Sequence, residues 1–147
     1  MSDLEELTRV AIDSGLRIHR SLGPGLLESV YETVLAADLS RRGLAVDRQK
    51  SIDFEFEGMT FRDSFRIDLL VEGRLIIEIK SVEHQLASVH SKQLLTYLRL
   101  ARQPVGLLMN FGCETFREGL KRVVNNHVDF ASSRLRVNQI PAAETRI

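Results

Sequence analysis

Apolar residues recur at Leu4, Leu7, Val10, Ala11 and Ile18, with Ser14 between them. That spacing turns one stripe of an α-helix toward a core. It predicts a helix from Asp3 to about Arg20, capped by Ser2 or Asp3, with Glu5 and Glu6 at the favourable end of its dipole. Gly23-Pro24-Gly25 ends it. Val30, Tyr31, Val34, Leu35 and Leu39 mark a second helix, from about Glu28 to Arg42, stopped by Gly43.

The period then drops to two. Ile52, Phe54 and Phe56 alternate with Asp53, Glu55 and Glu57, the pattern of a half-buried strand, and Glu57-Gly58 predicts a turn. A second strand follows from about Thr60 to Val71, with Phe65, Ile67, Leu69 and Val71 on one face. After Gly73, a third from Leu75 to Lys80 completes an antiparallel meander. An amphipathic helix from about Ala87 to Arg102 closes at Pro104. The run from Val105 to Phe111 is almost wholly apolar, as in a strand buried on both faces. With a helix between them, it is expected to join the third strand in parallel. Between Glu114 and Asn126 a short helix or a last strand fits, and a strand around Lys121 to Val124 is preferred. Residues 131–147 have little to bury and read as a loose C-terminal extension to a single domain over 1–130. The expected class is α/β (α+β): a mixed sheet with an antiparallel meander, a crossover helix and flanking helices.

Composition sets the surroundings. A chain of 147 residues, 44% hydrophobic and 27% charged, suits one globular domain with a real core. Twenty basic and twenty acidic residues leave no basic surplus, so nucleic acid would have to be held by a local patch. A single cysteine, Cys113, excludes an intrachain disulfide and a Cys-rich zinc site, and reads as a buried inert thiol. The segment "MSDLEELTRV" has neither the basic nor the apolar region of a signal peptide. No apolar run approaches the roughly 20 residues of a membrane span. A cytoplasmic protein is expected, with no membrane partner.

The hairpin around Gly73 gathers charge. A two-residue turn, Glu72-Gly73, would pair Val71 with Arg74 and mismatch the apolar faces. A three-residue loop, Glu72 to Arg74, pairs Val71 with Leu75, Leu69 with Ile77 and Ile67 with Ile79, placing all six on one face. Asp68 then faces Glu78, with Lys80 two residues further along. Facing carboxylates repel, and burial makes them costly unless something compensates. Two readings are open. The three charges form a structural ion cluster on a solvated face, or they form a site whose carboxylates hold a hard divalent cation beside a lysine.

Asp68 followed by Glu78-Ile79-Lys80 resembles the PD-(D/E)XK nuclease superfamily, although Ile67 stands where the superfamily name has Pro. Upstream, Gly25, Glu28 and Tyr31 match Gly-x-x-Glu-x-x-Tyr; downstream, Gln93 and Tyr97 match Gln-x-x-x-Tyr. From about Leu4 to Val124 the chain is similar to the small bacterial GxxExxY proteins assigned to that superfamily. The resemblance implies a restriction-endonuclease-like core and a metal-dependent nuclease, hydrolysing phosphodiester bonds of DNA or RNA by water attack. It implies Asp68, Glu78 and the backbone carbonyl of Ile79 as ligands of Mg²⁺ or Mn²⁺, with Lys80 positioning or activating the water. Glu28 resembles a helix carboxylate that contacts metal-bound water, and Gln93 and Tyr97 would flank the site.

Plainer roles stand beside these. Glu28 suits a helix N-terminus, Tyr31 and Tyr97 suit a core, and Gln93 can cap or bridge. His84 and His90 read as loop residues, and Lys121 with Arg122 as an exposed face. The alternative function is a non-catalytic module of the same fold that binds nucleic acid or a protein partner. A homodimer with paired sites is a further possibility.

Overall fold

A computed structural model describes residues 3–126, so the extension expected over 131–147 lies outside the described residues. Helix α1 (Leu4–Leu22) starts where expected: the Asp3 carboxylate accepts the Glu6 N–H at 2.8 Å. Helix α2 (Glu28–Arg41) follows after a short link. Gly23 and Gly25 in that link have φ of 76° and 105°, a region where side chains are strained. Tyr31 pins the link. Its hydroxyl donates to the Gly23 carbonyl at 2.6 Å and accepts the Leu26 N–H at 3.2 Å. Its buried ring stacks on Phe111, with centroids 4.5 Å apart. The motif tyrosine is the core aromatic that the sequence suggests.

Five strands form one sheet in chain order: β1 (Val46–Phe56), β2 (Met59–Val71), β3 (Leu75–Lys80), β4 (Val105–Asn110) and β5 (Leu120–Val124). The first three are an antiparallel meander, β3 and β4 are parallel, and β5 returns antiparallel. Helix α3 (Ser88–Ala101) makes the crossover between β3 and β4. Both candidates for the last segment occur. A short helix, α4 (Phe116–Gly119), opens with a capping box between Thr115 and Glu118 and runs into β5.

Two apolar clusters sandwich the sheet. Leu7, Ala11, Ile18, Tyr31, Leu35 and Leu39 of α1 and α2 pack against Leu69, Val71, Leu75, Ile77, Ile79, Leu107 and Met109. On the other face, Leu94 and Leu98 of α3 cover Ile67, Leu70, Ile76 and Leu108. Each such side chain contributes about 1.5–3 kcal/mol when fully buried. At Gly106 of β4 an added Cβ would meet Leu94 at 3.0 Å, so the missing side chain lets α3 lie close to the sheet. Cys113 is buried, and burial pushes its thiol pKa up, away from the thiolate form that reacts. Among the described residues no helix is long and apolar enough to cross a membrane.

Two expectations need correcting. Strand β1 begins at Val46 rather than near Ile52: after half-buried Val46, the exposed polar run "DRQK" carries no apolar alternation that would reveal it. The hairpin loop and the pairs Leu69–Ile77 and Val71–Leu75 are as expected, but Ile67 neither pairs with Ile79 nor shares the face of Leu69. Ile67 packs under α3 with Leu70 and Ile76. The strand changes face at Asp68, where the β2–β3 ladder has already ended.

Candidate active site at the split between the second and third strands

Past the last backbone pair, Leu69–Ile77, two carboxylates take over the hydrogen bonding. Asp68 Oδ2 accepts the Ile79 N–H at 2.8 Å, and Glu78 Oε2 accepts the Asp68 N–H at 2.9 Å. Each acid thus satisfies the backbone of the opposite strand, and these bonds orient both side chains. Asp68 Oδ1 accepts from Gln49 Nε2 at 3.1 Å. The same amide nitrogen donates to Glu32 Oε1 at 2.8 Å, while Arg48 Nε reaches Glu32 Oε2 at 3.2 Å. A carboxylate of α2 is thereby tied to the carboxylate pair of the sheet.

The balance of charge is negative. Glu78 is only 7% exposed, and its pKa is pushed up to about 8 by burial first and then by the Asp68 charge. The Asp68 N–H and the Lys80 charge oppose this, and Glu32 adds to it. Tyr97 of α3 feels the same field. Burial, then Glu78 and Asp68, push its phenol pKa up, so it stays a proton donor at neutral pH. Its ring is held by stacking on Phe65, with centroids 4.3 Å apart.

Lys80 ends β3, half-buried, and lowers the pKa of Glu78 without forming an ion pair among the described residues. Among the described residues Asp68 and Glu78 are in no ion pair either.

Gln93 lies exposed on α3, one turn before Tyr97. Glu28 is exposed at the start of α2 and borders an open cleft with Leu26, Ser81, Glu83 and Gly112. The Ser81 hydroxyl donates to the Leu26 carbonyl at 2.6 Å, tying the end of β3 to this cleft. No hydrogen bond among the described residues joins Glu28 or Gln93 to Asp68 or Glu78. His84 sits exposed, its Nδ1 3.0 Å from the Gln85 carbonyl, as a loop residue would, whereas His90 lies in the first turn of α3 rather than in a loop.

Sequence reasoning misses Glu32 and Gln49. Glu32 stands one turn after Glu28 on the same helix face, a spacing that could have flagged it. Gln49 carries no signal in the hydropathy pattern, because it lies in the polar stretch of an edge strand.

Among the described residues no group of three or more His, Cys, Asp or Glu side chains is placed to hold a metal. A cation held here would have the Asp68–Glu78 pair as its side-chain ligands, and Mg²⁺ commonly takes one or two carboxylates and keeps several waters. A strand residue points its N–H and C=O toward the same neighbour, so the Ile79 carbonyl faces the same gap as the N–H that Asp68 accepts. Burial and the Asp68 charge disfavour the ionised form of Glu78, and a bound cation would favour it.

Comparison with known proteins agrees with the fold. The family model of the PD-(D/E)XK nuclease superfamily matches residues 5–123, a span that includes both carboxylates and the lysine. No curated protein matched the chain. The mixed sheet with helices on both faces is the restriction-endonuclease-like arrangement. The match covers far more than half of the 147 residues, and the chain belongs to the PD-(D/E)XK nuclease superfamily.

Proposed function

We propose that this chain, within a single domain over 1–130, is a divalent-metal-dependent nuclease of the GxxExxY branch that hydrolyses phosphodiester bonds of DNA or RNA. One observation carries the reading: Asp68 and Glu78 meet where the β2–β3 ladder has ended, and Glu78 is held there against its charge. Asp68, Glu78 and the Ile79 carbonyl would hold Mg²⁺ or Mn²⁺. When bound, such an ion supplies Lewis acidity toward a phosphoryl oxygen. The Lys80 ammonium, free of any ion pair among the described residues, orients the attacking water and steadies charge growing on the phosphate. The Tyr97 phenol, kept protonated, donates a hydrogen bond to a phosphate oxygen. Gln93 contacts the substrate one turn further along α3, and Glu28 meets water or substrate in the cleft beside Ser81. The homodimer considered from the sequence draws no support here.

The test is cleavage of labelled single- and double-stranded DNA and RNA with Mg²⁺ or Mn²⁺, for the wild type and Lys80→Ala. Metal-dependent cleavage is expected, with loss of about a hundredfold or more in Lys80→Ala while metal binding persists. Full activity in that variant would remove Lys80 from the chemistry. Metal binding with no cleavage of any of the four substrates would favour the non-catalytic module.

A further inference from the structure

Gln49 is built unlike any other residue of its strand. It sits inside β1 with φ of 50°, in the left-handed region that non-glycine residues seldom occupy. Three of the other positive-φ side-chain residues need no special account. Glu57 and Glu72 lie in turns, and Arg102 is the C-cap of α3. Asp63 accompanies the register shift between Ile52 and Phe54. Gln49 has no such excuse. Arg48 pairs with Leu69 and Lys50 with Ile67, so the register is the same on either side of Gln49, although Gln49 and Asp68 are not themselves paired. The strained residue lies across from Asp68, the point at which β2 changes face.

Its side chain supplies a reason for the strain. A primary amide nitrogen has two hydrogens, and Gln49 uses Nε2 toward both Asp68 Oδ1 at 3.1 Å and Glu32 Oε1 at 2.8 Å. Asp68 Oδ2 is meanwhile held by the Ile79 N–H at 2.8 Å, so both oxygens of Asp68 are fixed in direction. An ammonium or guanidinium in this place would cancel the negative charge of the pair and compete with a cation. A neutral amide orients the carboxylates and leaves their charge intact.

We propose that Gln49 is a positioning residue that locks Asp68 toward Glu78 and ties it to Glu32 of α2. Its strained backbone is retained because that conformation aims the amide. The consequence for metal affinity rests on the cation reading of the Asp68–Glu78 pair. The positioning itself does not.

The experiment uses the full chain as wild type, Gln49→Gly and Gln49→Asn. Glycine accepts φ of 50° without strain and removes the whole side chain, amide included. Asparagine tolerates the same backbone but is one methylene too short to reach both carboxylates. The first readout, without metal, is the Ile79 backbone amide by ¹⁵N–¹H spectroscopy and hydrogen exchange, with Ile77 as the ladder control. In Gln49→Gly the Ile79 resonance should move and its exchange should quicken about tenfold relative to Ile77, with the melting temperature kept. The second readout is Mn²⁺ binding, which should weaken about 10–100-fold in Gln49→Gly and less in Gln49→Asn. An unmoved Ile79 amide, or Mn²⁺ bound equally by wild type and Gln49→Gly, overturns the proposal. If the wild type binds no Mn²⁺, the cation reading fails by itself, and the Ile79 amide alone decides the role of Gln49.

Discussion

Asp38 and Glu78 are buried to nearly the same depth, at 6% and 7% exposure, and their surroundings are opposite. Asp38 of α2 is met by the Ser14 hydroxyl and by Arg17, Arg41 and Arg42. Burial pushes its pKa up, but Ser14, Arg17 and Arg42 outweigh that and hold it below the ordinary carboxylate range. Glu78 has Asp68 and Glu32 for company and no ion pair among the described residues. A buried acid that serves the fold is surrounded by donors and cations, as Asp38 is where α1 meets α2. An acid held against its own charge needs another explanation, and binding of a cation is the direct one.

Substitutions should separate the two acids, and the largest effect falls on activity. Glu78→Gln should lower metal-dependent cleavage by about three orders of magnitude. In the metal-free chain it should leave stability unchanged or raised, because it removes a charge that the fold disfavours. Asp38→Ala should do the reverse, losing about 2–3 kcal/mol of stability by chemical denaturation while the folded fraction still cleaves. The loss stays below the full cost of breaking a buried pair because the Arg17 and Arg41 side chains are 51% and 67% exposed. A Glu78→Gln protein that unfolds like Asp38→Ala would erase the distinction.

The smaller effect is in pH. Glu78 has a folded pKa of about 8 against an ordinary 4.5, so between these values the folded chain holds a proton that the unfolded chain releases. The metal-free protein should therefore lose stability as pH rises through that window, by at most about 1.4 kcal/mol per unit from this group. Asp38 has the opposite sign: its contribution is present above the ordinary carboxylate range and is lost as pH falls toward its lowered value. Urea melts across pH should show Glu78→Gln flattening the upper window and Asp38→Ala flattening the acid limb. A Glu78→Gln profile parallel to wild type would contradict the assignment.

The hydropathy pattern reads best where one face is buried and worst where polar atoms set the backbone. Strand β3, its loop and the Leu69–Ile77 register follow from alternation alone, since a slip by one residue would expose the whole apolar face. The Asp68-to-Lys80 constellation follows from that register, and the parallel β3–β4 pairing follows from the apolar run and the helix before it. Ile67 is misplaced by the same logic. Its face is set by the turn of the backbone at Asp68, opposite a glutamine with φ of 50°, and neither leaves a trace in hydrophobicity. Glu32 is hidden for a related reason: apart from its one-turn spacing from Glu28, nothing in the sequence marks it as buried until its partners Arg48 and Gln49 are in place.

The most direct measurement is a calorimetric titration of Mn²⁺ and Mg²⁺ into the wild type and Asp68→Ala. The wild type should bind, and the site should vanish with Asp68 while the variant stays folded. Equal binding by both proteins, or no binding by the wild type at millimolar metal even with nucleic acid present, would contradict a cation site between Asp68 and Glu78.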